Sequence, residues 1–284
     1  MYDVIIETVI DTLKLVPFLF LAFLLLEFFE HKMNDKTRHL IKTAGKLGPG
    51  VGSVLGAVPQ CGFAAMASSM YATRVITLGT LIAVFLSTSD EMLVIMLSKS
   101  DPVIFAKGLI IIAIKVIIGL VAGFIIDFIV SRNKGDSEEC IHDFCESHNC
   151  HCEHGIVRSA IVHTLKIAGF ILIITFVLNF VIHFYGESTL EKLLFKDSIF
   201  SPFIPALVGF IPNCASSVII TEMYLANTIS FGSCIAGLLT GSGMGLMILF
   251  KLNKSMKQNF IIAGIIYLIA VFCGIIFDLF SIII

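Results

Sequence analysis

The chain has 284 residues, of which 57% are hydrophobic and 14% charged, with a formal net charge of -2. Soluble domains carry about 25% charged residues, so this composition excludes an ordinary soluble protein. The absence of a basic surface excludes a nucleic-acid partner.

Several stretches are long and apolar enough to cross a ~30 Å hydrocarbon core as helix, the form in which a lone segment satisfies its own backbone in lipid. Met1-Tyr2-Asp3 is not basic and no small-residue cleavage site follows, so residues 4–29 read as a retained first helix. A Gly-rich segment covers 47–72, a third element about 75–97 and a fourth about 102–130. The order repeats at about 158–184, 203–225, 229–250 and 258–283.

This second set aligns with the first. Thr12-Leu13-Lys14 recurs as Thr164-Leu165-Lys166. Residues 56–96 align without a gap with 209–249, a constant offset of 153, with 13 identities in 41 positions. The identities include Gly56/Gly209, Pro59/Pro212, Cys61/Cys214, Tyr71/Tyr224 and Gly79/Gly232; later, Gly123 and Asp127 recur as Gly274 and Asp278. Shared Pro, Cys, Tyr and Gly in register go beyond matched hydropathy, and duplicated halves are typical of secondary transporters.

Charge indicates that the halves are inverted. Loop 30–46 carries Lys32, Lys36, Arg38, Lys42 and Lys46, whereas its partner 186–200 has two lysines and three acids. Loop 98–102 is neutral, whereas its partner 251–257 carries Lys251, Lys254 and Lys257. Opposite bias in equivalent loops is what the positive-inside rule gives for an inverted repeat. Inversion needs an odd number of crossings per half: three spanning helices plus a re-entrant hairpin. Pro59 and Gly62 break 47–72 into arms of about 10 residues, roughly 15 Å each, and Ile211-Pro212-Asn213-Cys214-Ala215 makes the same break later. A single kinked spanning helix is the alternative for 47–72. The expected fold is all-α: a multi-pass protein of the cytoplasmic membrane with two inverted-topology repeats, 1–130 and 158–284. A cytoplasmic linker, 131–157, joins them, and both termini lie outside.

The candidate transport site follows from the breaks, because irregular backbone at membrane depth is tolerated where it lines protein or water. The hairpin tips supply Gln60, Cys61, Asn213 and Cys214. The third element of each half adds Ser87, Thr88, Ser89, Asp90 and Glu91 on one side, and Thr240 and Ser242 on the other. Hydroxyls, freed carbonyls and half-helix ends are ion ligands. An acid in an apolar run costs about 2.5 kcal/mol or more and marks a cation or proton path. The alternative for Asp90 is a structural ion pair with Lys115. Gly243 and Met244 replace both acids in the second half, so one asymmetric acidic site is expected. Cys61 and Cys214 read equally as soft-metal ligands or as inert buried residues, and Cys234 and Cys273 read as packing residues.

Residues 140–154 hold four of the eight Cys and four of the eight His: Cys140, His142, Cys145, His148, Cys150, His151, Cys152 and His154. That density reads as a tract for a soft or borderline metal ion, with no zinc-finger spacing. Reducing cytosol keeps such thiols free. A disulfide-linked external loop and a functionless linker are the alternatives.

Val58-Pro59-Gln60-Cys61-Gly62-Phe63, the run Ile76 to Met92 containing Ser87-Thr88-Ser89-Asp90-Glu91, Ile211-Pro212-Asn213-Cys214-Ala215 and Leu238-Leu239-Thr240-Gly241-Ser242-Gly243-Met244-Gly245 together resemble the ten-transmembrane heavy-metal exporters, a family that carries labels such as arsenic efflux and manganese transport. The resemblance spans nearly the whole chain, and its ten segments match if each hairpin counts twice. It implies export of a metal or metalloid ion by a secondary transporter, coupled to protons or sodium. A sodium- or proton-coupled carrier of a small organic or inorganic anion is the second reading, since helix N-termini at hairpin tips also suit anions. The expected partners are the transported solute, the bilayer and a second copy in a homodimer, with no tightly bound cofactor beyond the linker metal and the coupling ion. No His-Glu-x-x-His, membrane Cys-x-x-Cys or Gly-x-x-x-x-Gly-Lys-Ser/Thr motif is present, which argues against an enzyme or an ATP-driven pump.

Overall fold

The computed structural model describes residues 47–58, 61–88, 102–133, 201–212, 214–253 and 255–280, with helical positions between 13 and 24, at 92 and 96, and between 161 and 176. At 61, 102, 131–133, 214 and 215 the description covers the backbone alone. All regular structure among these residues is helical. The first half contributes α1 (Gly48–Gly56), α2 (Cys61–Ala72), α3 (Leu78–Ser87) and α4 (Pro102–Asn133). The second contributes α5 (Phe203–Val208), α6 (Cys214–Leu225), α7 (Phe231–Leu239), α8 (Gly243–Leu252) and α9 (Met256–Leu279).

Three stretches are long and apolar enough to cross a membrane: Val103–Val130, Phe231–Leu252 and Met256–Leu279. They differ in what surrounds them. In the most apolar window of Phe231–Leu252, 78% is buried, against 22% for Val103–Val130 and 28% for Met256–Leu279. Every residue from Gly79 to Ser87 and from Phe231 to Leu239 is buried, so α3 and α7 are enclosed on all sides. α4 and α9 instead turn Ile117, Val121 and Phe128, and Leu268 and Phe272, outward. Large apolar side chains exposed on helices of spanning length are the lipid-facing surface of a multi-pass membrane protein.

Both halves build the same turn between their second and third elements. α2 ends with Arg74 at φ 62° and α6 with Asn227 at φ 55°, the left-handed residue that closes a helix. Val75 N–H donates to Met70 O and Thr228 N–H to Met223 O, both at 2.9 Å. Thr77 then caps α3 by accepting from Thr80 N–H, and Ser230 caps α7 by accepting from Ser233 N–H, each at 3.1 Å.

A carboxylate on the long helix clamps each cap. Asp127 of α4 accepts from Gly79 N–H at 2.7 Å and from Thr77 Oγ1 at 2.5 Å. Asp278 of α9 accepts from Gly232 N–H at 2.9 Å and from Ser230 Oγ at 2.8 Å. Glycines allow this approach. A Cβ at Gly79 would strike Gly123 O and the Asp127 carboxyl, and one at Gly232 would strike Gly274 O and the Asp278 carboxyl. A Cβ on Gly123 would lie 2.9 Å from Pro49 and Ala83; one on Gly274 would lie 2.8 Å from Pro202 and 2.9 Å from Ala236. Close helix contact through small residues is how helices associate where no hydrophobic effect drives them together.

Candidate ion pathway at the helix breaks

The interruptions expected from sequence are present. α1 ends at Gly56 and α2 begins at Cys61; α5 ends at Val208 and α6 begins at Cys214. The third element of the second half stops at Leu239, and α8 begins at Gly243. α3 stops at Ser87, with Thr88 beyond it in a non-helical conformation (ψ 123°).

Within each half the two breaks lie against one another. A Cβ on Gly56 would collide with Ser87 Oγ, and one on Gly209 with Thr240 Oγ1. Ser87 and Thr240 are fully buried and donate to carbonyls of the preceding turn, Val84 O at 3.1 Å and Gly237 O at 3.0 Å. Gly243 packs on the other break of its half, where an added Cβ would lie 2.8 Å from Pro212 Cα.

The two halves meet at this level. α2 packs on α8, with Ser68 Oγ donating to Gly245 O at 2.6 Å, or alternatively to Ala64 O at 2.9 Å. A Cβ on Gly245 would lie 2.8 Å from Ala64 Cβ and 2.9 Å from Phe85. Between the halves stands Lys115 of α4, 1% exposed. Its ammonium donates to Thr88 O, where α3 ends, and to Leu238 O at 2.6 Å, where α7 ends. Helix C-termini carry partial negative charge on carbonyls with no intrahelical partner. Two such ends, one from each half, thus face one buried positive charge. Its counterpart in the second half, in the register that aligns Gly123 with Gly274, is Ile266, which is fully buried.

Of the candidate transport residues, Ser87, Thr88, Thr240 and Ser242 fall among the described residues, and all four are buried at the breaks. Ser242 precedes α8 but makes no capping bond, and its Oγ is buried without a hydrogen-bond partner. A buried hydroxyl left unpaired is costly unless something else occupies the site. Gln60, Ser89, Asp90, Glu91 and Asn213, and the side chains of Cys61 and Cys214, lie outside the described residues, as does the tract Cys140, His142, Cys145, His148, Cys150, His151, Cys152 and His154. Among the described residues, no cluster of three His, Cys, Asp or Glu side chains could hold a metal. Cys234 is buried in the core and Cys273 half-buried.

Sequence alone offers Lys115 as an ion-pair partner for Asp90, which lies outside the described residues. The place of the lysine against two carbonyl ends was not foreseen. The signal was a lysine in an otherwise apolar run of α4, facing isoleucine in the repeat.

No curated protein and no solved structure matches the chain. A family model described as "Putative, 10TM heavy-metal exporter" matches residues 1–178 and again 156–282. With spanning helices, paired breaks and a family match over nearly its full length, the chain belongs to this ten-transmembrane heavy-metal exporter family.

Proposed function

We propose that the protein is a secondary transporter that exports a metal or metalloid ion across the cytoplasmic membrane in exchange for a coupling ion. The observation that carries this reading is the convergence of the α3 and α7 carbonyl ends, one from each half, on a single positive charge. A site lined by helix C-termini suits a cation and opposes an anion. The unpartnered hydroxyl of Ser242 adds an oxygen ligand at the same break.

In this reading the halves are inverted repeats whose hairpins enter from opposite faces, and the ion passes between their breaks. Asp90 and Glu91 follow Thr88 by two and three positions and bind the cation or the coupling proton. Gln60, Cys61, Asn213 and Cys214 line the midplane, with Ser87, Thr88, Ser89 and Thr240 as further oxygen donors. The Cys/His tract at 140–154 loads or senses soft metal on the cytoplasmic side.

The test is elemental analysis by mass spectrometry of cells expressing wild type or Asp90→Asn, grown with arsenic, manganese, zinc, copper and cadmium. Wild type lowers one element selectively, and the variant, present at equal level in the membrane, does not. If no element differs between wild-type and empty-vector cells, the reading fails, and uptake of small anions becomes the next measurement.

A further inference from the structure

The break between α7 and α8 gathers oxygen atoms and no side chain that titrates. Residues 238–245 read Leu-Leu-Thr-Gly-Ser-Gly-Met-Gly, and Gly243 and Met244 stand where the first half has Asp90 and Glu91. Ser242 Oγ is buried away from water and has no hydrogen-bond partner. α7 ends at Leu239, so the carbonyls of Leu239 and Thr240 lie past its last intrahelical donor. The other break of the same half adds a third carbonyl. A Cβ on Gly243 would lie 2.9 Å from Ile211 O, which accepts from Ser216 Oγ at 3.3 Å and keeps a second lone pair. A hydroxyl that neither water nor protein satisfies calls for another occupant, and carbonyls at a helix C-terminus favour a positive one. Discontinuous helices hold coupling cations in this way.

We propose that the α7–α8 break binds the coupling ion, and that this ion is sodium. The inference rests on the cation-export reading and gives each half its own task. Neutral oxygens alone suit a monovalent alkali cation, whereas divalent ions draw on carboxylates and soft ions on thiolates. Residues 238–245 supply neither. A coupling proton would need a side chain to carry it there, and Gly243 and Met244 offer none. Close packing favours sodium over the larger potassium: a Cβ on Gly243 would lie 2.8 Å from Pro212 Cα, and one on Gly245 2.8 Å from Ala64 Cβ. Asp90 and Glu91, which lie outside the described residues, are left to the exported metal. Two cations cannot share Ser242 Oγ, because their repulsion at that separation in a low-dielectric interior outweighs what either gains. Sodium arriving at Ser242 therefore expels the metal, and exchange follows without any titrating group.

The experiment measures binding of radioactive Na⁺ to full-length protein in detergent, competed with unlabelled Na⁺ and with K⁺. Wild type is expected to bind Na⁺ saturably and in preference to K⁺. Ser242→Ala removes no protein contact, so it should fold, and its Na⁺ affinity should weaken by about tenfold, as expected for one lost oxygen ligand. A merely structural serine would leave that affinity unchanged. The second measurement uses proteoliposomes loaded with the element that the cell assay selects. Its efflux should be several-fold faster into Na⁺ than into K⁺ or choline at equal pH on both sides. Absence of saturable Na⁺ binding, equal affinity in wild type and Ser242→Ala, preference for K⁺, or efflux that a pH gradient drives fully without Na⁺ each overturns the proposal. If cells export an element and any of these results appears, this inference alone fails. If cells export no element, the export reading fails and the coupling role goes with it.

Discussion

The paired carboxylate clamps offer the most direct test of how the fold is held. Asp278 accepts two hydrogen bonds, from Gly232 N–H at 2.9 Å and Ser230 Oγ at 2.8 Å. A hydrogen bond to a charged group contributes about 1.5–3 kcal/mol, and a carboxylate at a helix N-terminus about 0.3–1 kcal/mol more. Asp278→Ala removes both acceptors and leaves the half-buried donors without them. Both hydrogen bonds are only part-buried, so the lower end applies, and a loss of about 3 kcal/mol is expected. At ~2–4 °C per kcal/mol for a chain of this size, the melting temperature should fall by ~6–12 °C. Asp278→Asn keeps one acceptor oxygen and should lose about half as much. Asp127, with bonds of 2.7 and 2.5 Å to Gly79 and Thr77, should behave alike, and the two losses should add, since each clamp has its own partners. The assay is thermal unfolding in detergent followed by size-exclusion fluorescence. A shift below ~2 °C in Asp278→Ala would refute the clamp as a stabilising contact.

Two further outcomes follow from contacts at the breaks and crossings. Ser242→Ala removes a buried hydroxyl with no partner, so the ion-free protein should be stabilised, by up to about 1–3 kcal/mol. Its apparent affinity for the exported cation should nonetheless weaken, which concentration-dependent export in membrane vesicles would read; unchanged affinity would remove Ser242 from the site. Gly274→Val places side-chain atoms against Gly232 O, Pro202 and Ala236, and should abolish the monodisperse folded protein. Gly264→Ala, on the same helix with nothing within 4 Å of an added Cβ, should be tolerated, and equal tolerance of both would contradict the close crossing.

Much was legible in the residues. Pro and Gly cluster with polar residues where apolar runs are interrupted, and the breaks after Gly56, Val208 and Leu239 fall there, since Pro removes a helix hydrogen bond and Gly weakens the helix. Gly123 and Asp127 recur in sequence as Gly274 and Asp278, and the structure shows both pairs in the same contact, with clamps that agree bond for bond. The caps at Thr77 and Ser230 came from the structure, where each short hydroxyl side chain takes an orphan N–H.

Hydropathy could not say which helix faces lipid. Val103–Val130 and Phe231–Leu252 are both apolar, yet one shows its side chains outward and the other is enclosed. Lipid and protein interior are alike to an apolar side chain, so that choice is made by packing against neighbours. Nor could sequence place Lys115. A lone lysine among isoleucines has many conceivable partners, and only the meeting of α3 and α7 across the two halves brings it the carbonyls of Thr88 and Leu238, groups that every residue carries and no sequence pattern marks. The residue types determined where the chain breaks and repeats; the tertiary structure decided that a carbonyl at the end of α3 and one at the end of α7 reach the same buried ammonium, because partial negative charge at helix C-termini draws a positive one.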